Sequence, residues 1–173
     1  MMRRTSSLVG AALAAALLVG TSGAALADLV EGTPGTDFLD GTAGDDTIRG
    51  FGGGDQLNGL GGADHLLGGG GGDGMEGGAG RDLLEAGPGH DTLFGRRGPD
   101  ALYGGKAFDV LEGGAQNDLL YSGAGNDTLV LSNSGEEEGR DDANCGPGVD
   151  TVYVNRHSID DIRPNCEIIT RVD

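Results

Sequence analysis

Gly50-Phe51-Gly52-Gly53-Gly54-Asp55-Gln56-Leu57-Asn58 is followed at once by Gly59-Leu60-Gly61-Gly62-Ala63-Asp64-His65-Leu66-Leu67. Both stretches obey one frame, with Gly first and fourth, Asp sixth and a large apolar residue eighth. The frame continues in both directions without insertion or deletion, giving eleven units from Gly32 to Val130. The sixth position is Asp37, Asp46, Asp55, Asp64, Asp73, Asp82, Asp91, Asp100, Asp109, Asp118 and Asp127, and the eighth is apolar in every unit. Such a short fixed period marks a solenoid, whose units bury their apolar side chains only against one another.

The six residues that open each unit are dominated by Gly and end in Asp, which predicts a turn. The last three set one apolar side chain between two variable ones, the period-two pattern of a short strand. Two units then make one coil of eighteen residues, and unit n stacks on unit n+2. Stacking aligns the Asp column into two rails, Asp37-55-73-91-109-127 and Asp46-64-82-100-118. Successive carboxylates would lie about 4.8 Å apart, the spacing of adjacent strands. Like charges so close repel unless a cation intervenes. Carboxylates and the carbonyls of Gly-rich turns are oxygen ligands suited to Ca²⁺ rather than to the smaller, more regular Mg²⁺. At most nine complete sites would result. One apolar side chain per unit returns less than the ordering of so much Gly costs, so the expectation is a repeat region that folds when calcium binds. A column of Asp that merely closed Asx-turns would accept Asn equally well, and this column contains none.

The frame resembles the RTX, or haemolysin-type calcium-binding, nonapeptide G-G-x-G-x-D-x-U-x, with U a large apolar residue. The resemblance covers residues 32–130 and implies an all-β fold, a right-handed parallel β-roll with calcium between its turns.

The flanks carry different signals. Arg3 and Arg4, the apolar run Leu8 to Val19 and the small residues Ala25-Leu26-Ala27 predict a secretory signal peptide over residues 1–27. General secretion fits the run better than twin-arginine export, and no transmembrane segment is expected in the mature chain. The β-roll is placed at 28–130, and an acidic loop with a C-terminal cap at 131–173. The loop carries Glu136, Glu137, Glu138, Asp141 and Asp142. The nonapeptide then returns once, as Cys145 to Tyr153, before the apolar residues Val152, Val154, Ile159, Ile162, Ile168 and Ile169. Cys145 and Cys166 are the two cysteines of a chain expected to be exported, so a disulfide is the default; two Cys with His157 between them are a poor zinc set. The bond would pin the tail over the open end of the roll, as in the caps of small secreted RTX-like proteins.

A net charge of −17 excludes nucleic-acid phosphates as a partner. With 37 glycines the composition alone would suggest disorder, but the acids sit at one phase of the repeat rather than in blocks. No H-E-x-x-H or G-x-S-x-G motif is present. The residues outside the repeats are too few for a catalytic domain, so the chain is not expected to be an enzyme. Two functions stay open: a secreted, extracellular calcium-binding protein with a structural or adhesive role, and an accessory RTX module serving an enzyme or effector on a separate chain.

Some units depart from the frame. Ala107 and Gln116 stand at the fourth position, where a left-handed backbone is expected. Arg96 and Arg97 bring cations into the eighth unit's turn, so sites using Asp100, Asp109 and Asp118 are expected to be the weakest. The even-numbered units carry His65, Leu67, Leu83, Ala101, Tyr103, Leu119 and Tyr121 at outward strand positions. They form a stripe open to a protein or cell-surface partner or a second copy, or else covered by the chain's own flanking segment, which is the favoured expectation.

Overall fold

The computed structural model describes residues 27–131, 139–155 and 161–172. The signal-peptide expectation, save Ala27, and the positions of Glu136 to Glu138, His157 and Ile159 lie outside them. Turn and strand alternate along the chain: β1 (Leu29–Glu31), β2 (Phe38–Asp40), β3 (Thr47–Gly52), β4 (Gln56–Asn58), β5 (His65–Gly70), β6 (Gly74–Ala79), β7 (Leu83–Pro88) and β8 (Thr92–Arg97). There follow β9 (Ala101–Lys106), β10 (Val110–Ala115), β11 (Leu119–Ala124), β12 (Thr128–Leu131), β13 (Asp142–Asn144), β14 (Thr151–Asn155), β15 (Asp161–Ile162) and β16 (Ile168–Val172). Odd-numbered strands form one eight-stranded sheet and even-numbered strands another. All described pairings are parallel, between strand n and strand n+2. The fold is a β-solenoid, as the repeat predicts.

Stacking is in phase. Ile48 pairs with Leu66, Leu66 with Leu84 and Leu84 with Leu102, each one coil on. The eighth-position residues from Leu39 to Leu129 are buried and make up most of the core between the sheets. Each lies over its equivalent in the next coil, so the core is two facing files of mostly Leu, one from each sheet, thin for the length of chain it organises.

The strands are longer than the sequence suggests. Strands β5 to β11 run six residues, from the seventh position of one unit through the third of the next. The turn shrinks accordingly to the fourth to sixth positions. Period two continues through the added residues, so the first position, like the eighth, faces inward. Glycine is needed there for space. A Cβ on Gly68 would lie 2.5 Å from Oδ2 of Asp73 and 2.9 Å from the Ala86 carbonyl oxygen.

The C-terminal segment stacks on the roll as further coils. β13 and β15 add to one sheet, β14 and β16 to the other. Leu120 pairs with Ala143, Leu129 with Val152 and Leu131 with Val154, an offset of 23 in place of 18, so the frame resumes after five extra residues between Leu131 and Gly139. The frame is visible again in residues 139–144 as well as in the returning unit 145–153, where an acidic loop and a single returning unit were expected. Val152 and Val154 are buried and Ile162 packs against the core, but Ile169 is half exposed. Cys145 and Cys166 are bonded, with Cα atoms 5.3 Å apart. The bond joins the turn before β14 to the turn before β16 and so staples two successive coils. Among the described residues no helix is long and apolar enough to cross a membrane.

Candidate metal centre

Each rail Asp is fixed by the strand that follows it and by the backbone of the coil before it. The N–H of Asp55 donates to Oδ1 of Asp73 at 2.8 Å, and that of Asp73 to Oδ1 of Asp91 at 2.8 Å. On the other side Asp64 donates to Oδ1 of Asp82 at 2.9 Å, and Asp82 to Oδ1 of Asp100 at 2.8 Å. The same contact links Asp37 to Asp55, Asp46 to Asp64, Asp91 to Asp109, Asp100 to Asp118 and Asp109 to Asp127. All eleven expected Asp residues therefore fall into the two expected rails.

The rails also run beyond the eleven units. Asp28 donates to Oδ1 of Asp46 at 2.7 Å, Asp118 to Oδ1 of Asp141 at 2.9 Å and Asp127 to Oδ1 of Asp150 at 2.8 Å. Glu167 takes the next place, accepting the Asp150 N–H on Oε2 at 3.1 Å. Sequence reasoning missed these places as site residues, although Asp28-Leu29-Val30 and Asp141-Asp142-Ala143 carry the Asp-x-apolar signature in phase with their neighbours.

The second carboxylate oxygen sets this column apart. Oδ2 of Asp55, Asp64, Asp73, Asp82, Asp91, Asp100, Asp109, Asp118, Asp127 and Asp150 is buried and accepts no hydrogen bond among the described residues. These residues are at most 3% exposed. Burying an ionised oxygen without a partner is costly, and the proton affinity responds. Burial lifts Asp118 to about 8 against one backbone hydrogen bond, with Asp141 and Asp100 adding repulsion. Burial likewise lifts Asp100 and Asp109 to about 7, and Asp64 and Asp91 to about 6. Asp55, Asp73, Asp82, Asp127 and Asp150 are raised for the same first reason.

A hard cation fits this donor set. Among the described residues no three His, Cys, Asp or Glu side chains come together, so any ion would draw on carboxylates at intervals along a rail and on backbone carbonyls. The cradle is lined that way: a Cβ on Gly50 would meet both Oδ2 of Asp55 and the Gly68 carbonyl oxygen. An oxygen-rich, irregular cage of this kind matches Ca²⁺. Fifth-position residues show what plain hydrogen bonding asks for. Asp45, Asn117 and Asn126 each accept an N–H from the next coil, at 2.7, 2.7 and 3.0 Å. Asn serves there as well as Asp, whereas the sixth position holds Asp in all eleven units.

The irregular units differ in part from expectation. Ala107 and Gln116 do adopt left-handed backbone, at φ 77° and 84°, and so do Phe51, Leu60 and Arg96. Arg96 points away from the rail. Its guanidinium binds Glu76 at 2.9 and 3.2 Å and lies 4.7 Å from the Phe94 ring, on the exposed surface of the even-strand sheet. Its guanidinium is thus paired with Glu76 on the outer surface of the sheet. On the odd-strand sheet, Tyr103 and Tyr121 stack with centroids 5.1 Å apart, beside Leu83 and Leu119. The described strands all belong to the two sheets, so the described part of the flanking segment does not cover this stripe.

No curated protein matches the chain. The RTX calcium-binding nonapeptide repeat, in its four-copy form, matches at residues 31–66, 67–102 and 97–129. That match spans more than half of the chain and coincides with the coils that carry the two rails, so the chain belongs to the family of RTX calcium-binding nonapeptide-repeat proteins.

Proposed function

We propose that this is a secreted calcium-binding roll that takes up Ca²⁺ along both Asp rails, folds as it does so outside the cell, and serves a structural or adhesive role. The observation that carries the reading is the row of buried Oδ2 atoms without donors. A chain that must bury so many unpaired carboxylates is poorly stable alone, and a ligand that binds only the folded form stabilises it by mass action. The residues assigned to calcium are the rail Asp residues, with carbonyls of the Gly-rich turns completing each site. The N-terminal signal supports export, and the calcium-rich exterior is where such a fold would form. The ladder of carboxylates is committed to binding rather than to catalysis.

The adhesive part of the reading rests on the odd-strand sheet, where Tyr103, Tyr121, Leu83 and Leu119 give an apolar stripe for a protein or cell-surface partner. Calcium titration of the metal-free protein by far-ultraviolet circular dichroism, with Mg²⁺ as control, tests the fold. A cooperative gain of β signal with Ca²⁺ alone is expected, and a chain equally folded in chelator would overturn the reading. Capture of a partner that Tyr103→Ser with Tyr121→Ser abolishes would support adhesion; capture indifferent to that pair would remove the stripe from it.

A further inference from the structure

Two rail carboxylates already have what the others lack. Oδ2 of Asp46 accepts the Thr42 N–H at 2.5 Å and the Thr42 hydroxyl at 3.0 Å. The hydroxyl in turn accepts the Gly44 N–H at 3.1 Å. Oδ1 of the same carboxylate takes the Asp28 N–H. One unit earlier Thr33 repeats the arrangement on Asp37, with 2.6 Å from its N–H, 2.9 Å from its hydroxyl and 3.2 Å from Gly35 to the hydroxyl. Asp46 is only 3% exposed, as buried as Asp64 at 2%, so the contrast with Asp64 is one of hydrogen bonding and not of solvent.

The difference follows the second position of the unit. Thr33 and Thr42 are not among the left-handed residues, whereas Phe51, Leu60, Gly69, Gly78 and Arg96 at the same position have φ of 75°, 74°, 105°, 111° and 83°. Where the backbone is left-handed, Oδ2 receives no donor. Where Thr stands, amide and hydroxyl both reach it. Charge-assisted hydrogen bonds of this length are strong, and they leave the ion satisfied without a metal.

We infer that the second-position residue decides whether a turn takes a calcium ion, and that Thr33 and Thr42 close the first two turns by hydrogen bonds so that metal loading begins with Asp55 and Asp64. The inference rests on the reading that the rails bind calcium. Asp37 and Asp46 are then rail residues by geometry but not calcium ligands, and the carboxylates of the first two units are held by the chain's own hydrogen bonds.

Native mass spectrometry of the full chain at saturating Ca²⁺ counts bound ions. Asp46→Asn is expected to keep the wild-type count and Asp64→Asn to lose at least one ion. Loss of an ion from both variants overturns the inference and leaves the calcium reading intact. Retention in both takes the calcium reading down, and the inference with it. Leu60→Thr guards against misfolding of the Asn variants: it should close the turn over Asp64 and bind one ion fewer while retaining its β signal, and an unchanged count would overturn the proposal.

Discussion

Asp91 donates its backbone N–H to Oδ1 of Asp109, one coil on, at 3.0 Å, while Oδ2 of both residues lies buried without a donor. The contact holds the Asp109 carboxylate by one oxygen and leaves the other without a donor, the atom that the proposed function gives to calcium. Asp91→Asn keeps an acceptor and removes the charge, so its effect should change sign with metal. In chelator the variant should be more stable than wild type, by about 1–3 kcal/mol; in saturating calcium it should be less stable. Paired thermal melts check both signs, and a variant destabilised in both conditions would contradict the assignment.

The pH dependence of the metal-free roll follows from the raised proton affinities of Asp100, Asp109 and Asp118, about 7, 7 and 8 against 3.8 for the free side chain. Between these limits the folded chain binds more protons than the unfolded one, so stability is greatest at low pH and is lost as pH rises through 7 to 8. In chelator, β signal should be larger at pH 5 than at pH 8. With calcium the order reverses, because protons compete for the same oxygens, and apparent affinity should climb from pH 6 to pH 8. A metal-free β signal that grew with pH would refute the burial of these groups.

Gly68→Ala and Gly70→Ala separate space from flexibility. The first would push a methyl into Oδ2 of Asp73, whereas nothing lies within 4 Å of the second. Gly68→Ala should cost about 1–3 kcal/mol and weaken calcium binding. Gly70→Ala should be nearly neutral in melts and in titration.

Ala107→Gly relieves a left-handed backbone at φ 77° and should stabilise the calcium-loaded roll by about 1 kcal/mol. Denaturant melts in calcium check it.

Reduction of the Cys145–Cys166 bond, which spans 21 residues, should cost about 3 kcal/mol. The loss should appear as faster amide exchange in β13 to β16, with β5 to β9 little changed, because coils in a solenoid contact only their neighbours.

The Asp and Leu columns made the coil legible, since an eighteen-residue offset follows from the period alone and Ile48, Leu66 and Leu84 obey it. Three things were hidden. Gly at the first position reads as a turn residue, yet its role at Gly68 is to leave room for the carboxylate of Asp73, a contact that no local propensity encodes. Asp141 was obscured because the extra residues between Leu131 and Gly139 break the count, and because it sits in an acidic run that looks like solvated surface. The hydrogen bonds of Thr33 and Thr42 left no mark on the periodicity, because the second position is the one the repeat leaves open.

Register gives the chain a ruler. Removing residues 68–85 would join Leu67 to Ala86 with every remaining strand still over its proper neighbour, and would shorten the rod by one strand spacing, about 4.8 Å. Removing only nine residues would transfer everything downstream to the opposite wall, and Tyr103 and Tyr121 would face the other way. Length in this protein is therefore counted in whole coils, and the side on which it presents its tyrosines depends on whether the number of units before them is odd or even.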